Sequence, residues 1–579
     1  MAVREPPEQD VRWEVRARDH AAEARLREAL GAGPLLAAVL AGRGISAPED
    51  AARFLDPRLE DLHDPRLLPD FGPAMRRLLA AREAKERIFV HGDYDVDGVT
   101  SAALLTRFLQ ALGCDVTPHV PHRLREGYGI HESAVEMARA TGAKVMLTCD
   151  CGVAAFQQVE AAREAGMDVV VTDHHQVGET LPGAVAVVNP HRRDSAYPFE
   201  DLSGVGVAFK LCLGLVEELG LMREQFFRAY LDLAALGTVA DVMPLVDENR
   251  IIVAHGLPLI PRTRKVGLAE LYRVAMANGK DEPLRAWHIG FRLGPRINAA
   301  GRIDDAALAL DLLLQKDPAE ARRIALELEA INKERREEQE RIFEEAVDQV
   351  EDTDQASRPA ILVAGIGWHP GVIGIVAGKL VERFRRPAFV VSSDPDRGVG
   401  HGSARSIPAF NLYDAIREHM HLLVRGGGHA LAAGFTAKLD NLGALRKALD
   451  GYAARILRDE DFTLVRRVDA EVTLAEADHA ATEELGRLEP TGQANPEPRF
   501  VCRNVRFEAI LPTSKPAHCR ALLGDGTGAS RSAVAFWIGE RLAAIPQGST
   551  GDVLFRPQIE TFNGRQSLKW IIEDFTVNG

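Results

Sequence analysis

Between Arg87 and Val171 short apolar runs alternate with amphipathic stretches, and this alternation restricts the chain to few folds. Ile88-Phe89-Val90 reads as a strand, Val99 to Leu112 as a helix closed by Gly113, and a strand lies around Val116. A helix from Ser133, strand Val145-Met146-Leu147, helix Val153 to Ala165 stopped by Gly166, and strand Val169-Val170-Val171 follow. Such alternation builds a parallel sheet from βαβ units. Ligands of these sheets bind beyond the carboxyl ends of the strands. HGDYDVDG (91–98), TCDCG (148–152) and TDHH (172–175) each follow directly on one of the strands, so the three should converge on one crevice.

Pro318 to Val350 reads as one helix, about 50 Å long at a rise of 1.5 Å per residue. Ile324, Leu328 and Ile331 give one end an apolar face, Ile342, Phe343 and Val347 the other, and Asn332 to Arg341 is polar throughout. A helix whose middle has nothing to bury is expected to bridge domains. A second α/β pattern follows, with strand Ile361-Leu362-Val363, a glycine-rich helix start at 371–378 and strand Phe389-Val390-Val391. Beyond about Leu457, short strands separated by Gly, Asn and Asp turns suit a small β-barrel. The first 75 residues read as helical, proline-punctuated packing material. Several domains are expected, because single cores stop growing at about 250–300 residues.

No apolar run is long enough to span a bilayer, and the charged segment MAVREPPEQDVRWEVRARDH has no secretory h-region, so a cytoplasmic location is expected. Six scattered cysteines form no disulfide framework, which fits a reducing interior. Cys149 and Cys151 have no second pair at zinc-finger spacing and are read as packing residues flanking Asp150. A net charge of −14 argues against a generally phosphate-binding surface, so any nucleic-acid groove must be a local basic patch.

His91-Gly92-Asp93-Tyr94-Asp95-Val96-Asp97-Gly98 crowds three carboxylates and an imidazole into one loop. Like charges sharing a site repel and push a pKa upward; a divalent cation resolves the conflict. Asp150, Asp173-His174-His175 and Asp241 of GTVADVMP supply further ligands. Two cations about 3.5–4 Å apart need roughly this many, with one carboxylate bridging, and clamp an in-line displacement at phosphorus. Mixed Asp and His ligands favour manganese over magnesium. An isolated Asp-x-Asp is ordinarily a turn and a lone His-His pair ordinarily structural, but five such features at consecutive strand ends are poorly explained that way.

Ser403-Ala404-Arg405-Ser406 and Arg425-Gly426-Gly427-Gly428-His429 combine a guanidinium with accessible backbone amides, which is how phosphate oxygens are cradled. Gly374 to Leu380 fails the Walker A pattern, so ATP is not implied. Gly204-Val205-Gly206 lacks the third glycine of a dinucleotide fingerprint and is discounted.

Asp173-His174-His175, with HGDYDVDG, TCDCG and GTVADVMP, resembles the DHH phosphoesterase superfamily, named for that tripeptide. Within it the RecJ family is closer still: GDYDVDGVTS, LREGYGI, GPRINAAGRIDDA, HPGVIGIVAGKL, GSARSI, RGGGHALAAGF and GQANPEPRF all resemble its segments, from about residue 87 to the C-terminus. The residue pattern and the resemblance together give an expected N-terminal helical segment (1–75), a parallel-sheet α/β DHH catalytic domain (76–317), a connecting helix (318–355), a smaller α/β DHH-associated domain (356–460) and an OB-like barrel (461–579), the first and the connecting helix resting on the pattern alone. His91, Asp95 and Asp150 resemble the first metal's ligands, and Asp97, Asp150, His174 and Asp241 the second's, with Asp150 bridging. Asp93 and His175 match the motif either as ligands or as residues orienting ligands or water.

Arg123, Tyr128, Arg296, Asn298 and Arg302 resemble residues that face substrate, the arginines being candidates for a 5′-terminal phosphate; Ser403, Arg405, Gly427, Gly428 and His429 would hold substrate from the DHH-associated domain. Taken singly, each arginine reads equally well as an ion pair. Arg531, Phe536, Trp537, Phe562, Arg565 and Lys569 are the pieces available to an OB groove, although Phe536 and Trp537 read equally well as core. The activity implied is metal-dependent 5′→3′ hydrolysis of single-stranded DNA to mononucleotides in recombination and repair. Two divalent ions, Mn2+ or Mg2+, would serve a monomer fed by a helicase or a single-stranded-DNA-binding protein. Two rivals are a DHH phosphodiesterase acting on short oligonucleotides or cyclic dinucleotides, and a non-catalytic replication scaffold.

Overall fold

Ile88, Val90, Val145, Leu147, Val169 and Val171 lie in near-continuous apolar runs, the pattern of strands buried on both faces. In the computed structural model, which describes residues 11–123, 125–277, 283–526, 528–562 and 565–578, these runs are the centre of a five-stranded parallel sheet. Its strands are β1 (Arg87–His91), β2 (Asp115–His119), β3 (Val145–Cys149), β4 (Asp168–Thr172) and β5 (Ala186–Val188). Their order is β2-β1-β3-β4-β5, so the carboxyl ends of β1, β3 and β4 lie side by side.

Helix α1 (Val96–Ala111) starts three residues before the expected Val99. Asp95 causes this by accepting a hydrogen bond from Gly98 N (3.1 Å), an N-cap that draws Asp97 into the first turn. Helices α2 (Gly204–Glu218) and α3 (Arg223–Ala240) pack on α1 and on each other. The helix expected from Val153 begins at Phe156, because Asp173 accepts from Val153 N at 2.9 Å and keeps that residue in the loop.

Helix α4 (Gly294–Ile303) packs on the long helix α5 (Pro318–Asp352), which Asp317 caps through Glu320 N. The expected solvent-exposed polar middle of α5 is corrected here. Asn332 and Gln339 are buried, and Arg335 between them donates to both at 3.0 and 3.2 Å. That satisfied polar seam replaces an apolar face.

A second sheet holds β6 (Ile361–Ile366), β7 (Ala388–Asp394), β8 (Val399–Arg405), β9 (Leu423–Gly428) and β10 (Ala432–Lys438) in the order β9-β10-β8-β7-β6, with α6 (Ile373–Phe384) against β7 and β8. Only β6 and β7 are parallel.

The other compact unit comprises residues 12–62, 244–254 and 465–579. Phe500–Pro512 pairs with both His518–Gly524 and Thr550–Phe562, and Ser530–Phe536 runs parallel to Arg565–Val577, which closes a five-stranded barrel. Leu36 and Leu40 of helix Pro34–Gly42 share its core with Phe507 and Trp570. Residues 12–62, read as part of a separate helical segment, are therefore one wall of the barrel's core. Arg250, fully buried, donates to the carbonyls of Phe54, Arg487, Leu488, Glu489 and Pro490. No helix among the described residues is long and apolar enough to cross a membrane.

Candidate metal centre and anion site

The carboxyl ends of β1, β3 and β4 deliver Asp93, Asp95, Asp97, Asp150, Asp173, His174 and His175 to one place, and the C-cap of α3 adds Asp241. Three sets of ligating atoms each lie within 4.8 Å of one another: Asp93, Asp95 and Asp150; Asp97, His174 and Asp241; Asp150, His174 and His175. Asp150 belongs to two of them. Its backbone is left-handed at φ 60°, a strained conformation for a residue other than glycine and one that turns the chain directly after β3. Cys149 and Cys151, on either side, are fully buried with their sulfurs towards the His91 carbonyl, the packing role expected of them.

Burial, and then the neighbouring carboxylates, push Asp93 and Asp150 well above the ordinary carboxylate range. The same causes bring Asp97 up to about 7 and Asp241 to about 9. Burial, then His175, holds His174 down to about 4, which leaves a neutral imidazole with a free lone pair. Asp93 Oδ1 and Asp150 Oδ1 are buried with no hydrogen-bond partner among the described residues. Buried, unpaired carboxylate oxygens beside a neutral imidazole fit divalent cations, which replace the missing donors and cancel the repulsion.

His91 is brought elsewhere. Its Nδ1 faces His119 Nδ1 at 3.0 Å, its Nε2 faces the Gly129 carbonyl at 3.2 Å, and it joins none of the three sets. Asp93, expected either as a ligand or as a residue orienting ligands or water, joins Asp95 and Asp150 in the first set. Asp173 also joins none; it accepts from Val153 N and His174 N and from His175 Nδ1 at 2.8 Å, and so ties β4 to the loop after β3. Burial pulls His175 down, but the Asp173 hydrogen bond and the charges of Asp173, Asp97 and Asp95 together raise the imidazole, whose edge meets the Tyr128 hydroxyl. Tyr128 is half exposed at the mouth of the site.

A second cluster is cationic. The Arg123 guanidinium lies 4.7 Å over the ring of Tyr94, the residue between Asp93 and Asp95. Burial, followed by Arg123, Arg335 and Arg405, lowers Arg302 to about 9; burial and Arg123 also lower Arg405. Arg405 approaches Ser403 Oγ at 3.5 Å, and a Cβ on Gly374 at the start of α6 would lie 2.9 Å from that oxygen. The glycine-rich helix start therefore abuts Ser403 and Arg405. Arg302 thus stands among the guanidinium groups of Arg123, Arg335 and Arg405, a gathering of like charges that an anion would relieve.

Arg335 was missed in the sequence, where it is one basic residue among many on a polar helix; its i−3 and i+4 amide partners were the available signal. Arg296 instead pairs with Glu329 of α5, and Asn298 is half-buried on α4. Gly427, Gly428 and His429 lie exposed at the end of edge strand β9, and the turn they begin returns to β10 where Ala432 pairs with Arg405. In the barrel unit Phe536 and Trp537 are 45% and 64% exposed around His518, so they are not core. Lys569 pairs with Glu560, Arg565 is exposed, and the Phe562 side chain lies outside the described residues.

Family models match along the chain: the DHH family N-terminal domain over residues 87–238, the DHHA1 domain over 358–455 and the RecJ OB domain over 468–574. The single-stranded-DNA-specific exonuclease RecJ of Bacillus subtilis is 37% identical over 98% of this chain and 71% of its own length. The chain belongs to the RecJ family. The RecJ of Dickeya dadantii is 35% identical over 95% of this chain and 97% of that protein. The crystal structure of RecJ in complex with Mn2+ from Thermus thermophilus superposes with a TM-score of 0.83 at 32% identity, covering 98% of this chain and 80% of that one. Its complex with Mg2+ gives 0.78. RecJ membership bears out the expected architecture of a parallel-sheet DHH domain, a DHHA1 domain and an OB domain. It also makes the chain a DHH-family hydrolase rather than a scaffold.

Proposed function

We propose that this chain degrades single-stranded DNA from its 5′ end, with two divalent cations, Mn2+ or Mg2+, held by Asp93 and Asp95 on one side and Asp97, His174 and Asp241 on the other, with Asp150 bridging the two. The RecJ relatives carry the name single-stranded-DNA-specific exonuclease, and solved examples hold each of these ions. The observation that carries the reading is the stacking of Arg123 on Tyr94, which sets the arginine cluster beside the carboxylates. A terminal phosphate taken by Arg123, Arg302, Arg335, Arg405 and Ser403 fixes one strand end, and the next diester then meets Asp150.

Cations at such a site supply Lewis acidity and charge neutralisation for in-line displacement at phosphorus. The protein's own groups do the rest. Asp173 holds a proton on His175 Nδ1, and the protonated ring, with the Tyr128 hydroxyl beside it, is placed to give a proton to the departing 3′-oxygen. In the barrel unit the exposed Phe536 and Trp537 offer stacking faces for the bases of a single strand.

Six cysteines, all free and buried, support a reducing cytoplasmic setting, where a helicase or a single-stranded-DNA-binding protein would supply substrate to a monomeric enzyme. Digestion of single strands labelled at the 5′ or the 3′ end, in Mn2+ and in Mg2+, tests the reading. Early release of the 5′ label as a mononucleotide is expected; early release of the 3′ label overturns the polarity.

A further inference from the structure

The Gly204-Val205-Gly206 segment fits no dinucleotide fingerprint, yet it lies against the metal centre. Gly204 and Val205 are the first two residues of α2, and Ser203 caps that helix by accepting from Gly206 N at 3.0 Å. The N–H groups of a helix's first turn have no partner within the helix. Here two of them have a carboxylate: Gly204 N donates to Asp97 Oδ2 at 2.6 Å and Val205 N to Asp97 Oδ1 at 2.8 Å. Each carboxylate oxygen has two lone-pair positions, so one per oxygen stays free for a cation.

The same turn touches two more candidate ligands. A Cβ on Gly204 would lie 2.6 Å from Asp150 Cβ and 2.7 Å from Asp150 Oδ1, so any larger residue displaces the bridging carboxylate. The Leu202 backbone hydrogen-bonds His174. From the opposite side Gly237 of α3 closes the cradle, since a Cβ there would stand 2.3 Å from Thr100 Oγ1 and 2.9 Å from Asp97 Oδ1. The Ser203 and Thr238 hydroxyls, 2.8 Å apart, join the two helix ends.

We propose that the 202–205 turn is the positioning element of the Asp97–His174–Asp241 cation subsite, with the Val205 and Gly204 amides aiming Asp97 and the missing Gly204 side chain admitting Asp150. This rests on the cation assignment proposed above. These residues touch neither substrate nor cation; they act through Asp97, Asp150 and His174.

Manganese titration of the full chain, followed by calorimetry and by the electron paramagnetic resonance of free and bound Mn2+, reads this directly. Val205→Pro removes one N–H within the helix's first turn, where no intrahelical hydrogen bond is lost, and Val205→Ala trims the side chain but keeps that N–H. Val205→Pro is expected to weaken one of two Mn2+ ions by about 10- to 100-fold, the range typical of groups that orient ligands, and Gly204→Ala, which displaces the bridging Asp150, to weaken both. Val205→Ala is expected to bind both as the wild type does. Val216→Ala, further along the same helix, controls for lost packing and is expected to lower the melting temperature without moving Mn2+ affinity.

Unchanged Mn2+ affinity in Val205→Pro overturns the inference, as does an equal loss in Val205→Ala or Val216→Ala. A wild type that binds no Mn2+ overturns it together with the cation assignment. Normal wild-type binding with normal Val205→Pro binding overturns this inference alone.

Discussion

Asp150 Oδ1 lies 3.1 Å from His174 Nε2 without hydrogen-bonding to it, although the two residues come from different strand ends. Each already stands in two candidate ligand sets. Asp150→Ala should therefore remove ligands from both cations at once. Hydrolysis is expected to fall by more than the about 10- to 100-fold seen when an orienting group is lost, with both Mn2+ ions weakened in calorimetry. Retention of one tight ion would show that Asp150 does not bridge.

The pH response of the metal-free protein follows from the raised carboxylates. Asp97 and Asp241, at about 7 and about 9, keep protons in the folded state that the unfolded chain has already lost. The folded state thus binds more protons, and stability falls as pH rises towards 9. His175, also raised, acts in the same direction. His91 and His174, held to about 3 and about 4, act oppositely, but only below the ordinary histidine value of about 6.5. The melting temperature of chelator-treated protein should drop between neutrality and pH 9, and Mn2+ should restore it while releasing protons. Calorimetry in two buffers of different ionisation enthalpy counts those protons; none released would sink the argument.

Arg405 reports on the end-binding cluster. Arg405→Ala should weaken binding of 5′-phosphorylated single strands, measured by fluorescence anisotropy in chelator, and leave 5′-hydroxyl strands nearly untouched. The slope of log affinity against log salt should shrink by about 0.7, the value for one phosphate contact on a single strand. Equal weakening for both ends would place Arg405 on the strand's body instead.

Trp537, exposed in a left-handed backbone conformation beside His518, tests the barrel. Loss of one stacked base costs about 1–3 kcal/mol, so Trp537→Ala should reduce affinity for strands long enough to reach it. Dinucleotide hydrolysis should continue unchanged. A variant with wild-type affinity for long strands would assign Trp537 another role.

Arg250 tests stability rather than chemistry. Removing it takes a donor from five carbonyls, of which those of Leu488 and Pro490 still accept from Asn495 Nδ2, and a single unsatisfied buried group costs about 1–3 kcal/mol. Arg250→Ala should lower the calorimetric transition of the barrel unit by about 3 kcal/mol or more, and Arg250→Lys should recover little, because an ammonium cannot span those carbonyls. A change below about 0.5 kcal/mol, the range of surface substitutions, would show that water replaces the guanidinium.

The strand and helix alternation, the three loops at neighbouring strand ends and the family can be read from the order of residues, because periodicity and contiguous motifs are local properties. Asp95, Asp97, Asp150, His174 and Asp241 were all legible that way. Which neighbours each group meets is a matter of the folded chain's long-range contacts. His91 and Asp93 stand two residues apart, yet one is enclosed by His119 and Gly129 and the other is left with an orphaned oxygen inside the carboxylate cluster. Arg335 and Gly204 carry no motif; one gains meaning from three distant arginines and the other from a carboxylate 54 positions away that leaves no room for a methyl group. Burial and close approach depend on chain segments far apart in sequence, and those quantities set the charge, the coordination and the fit of this site.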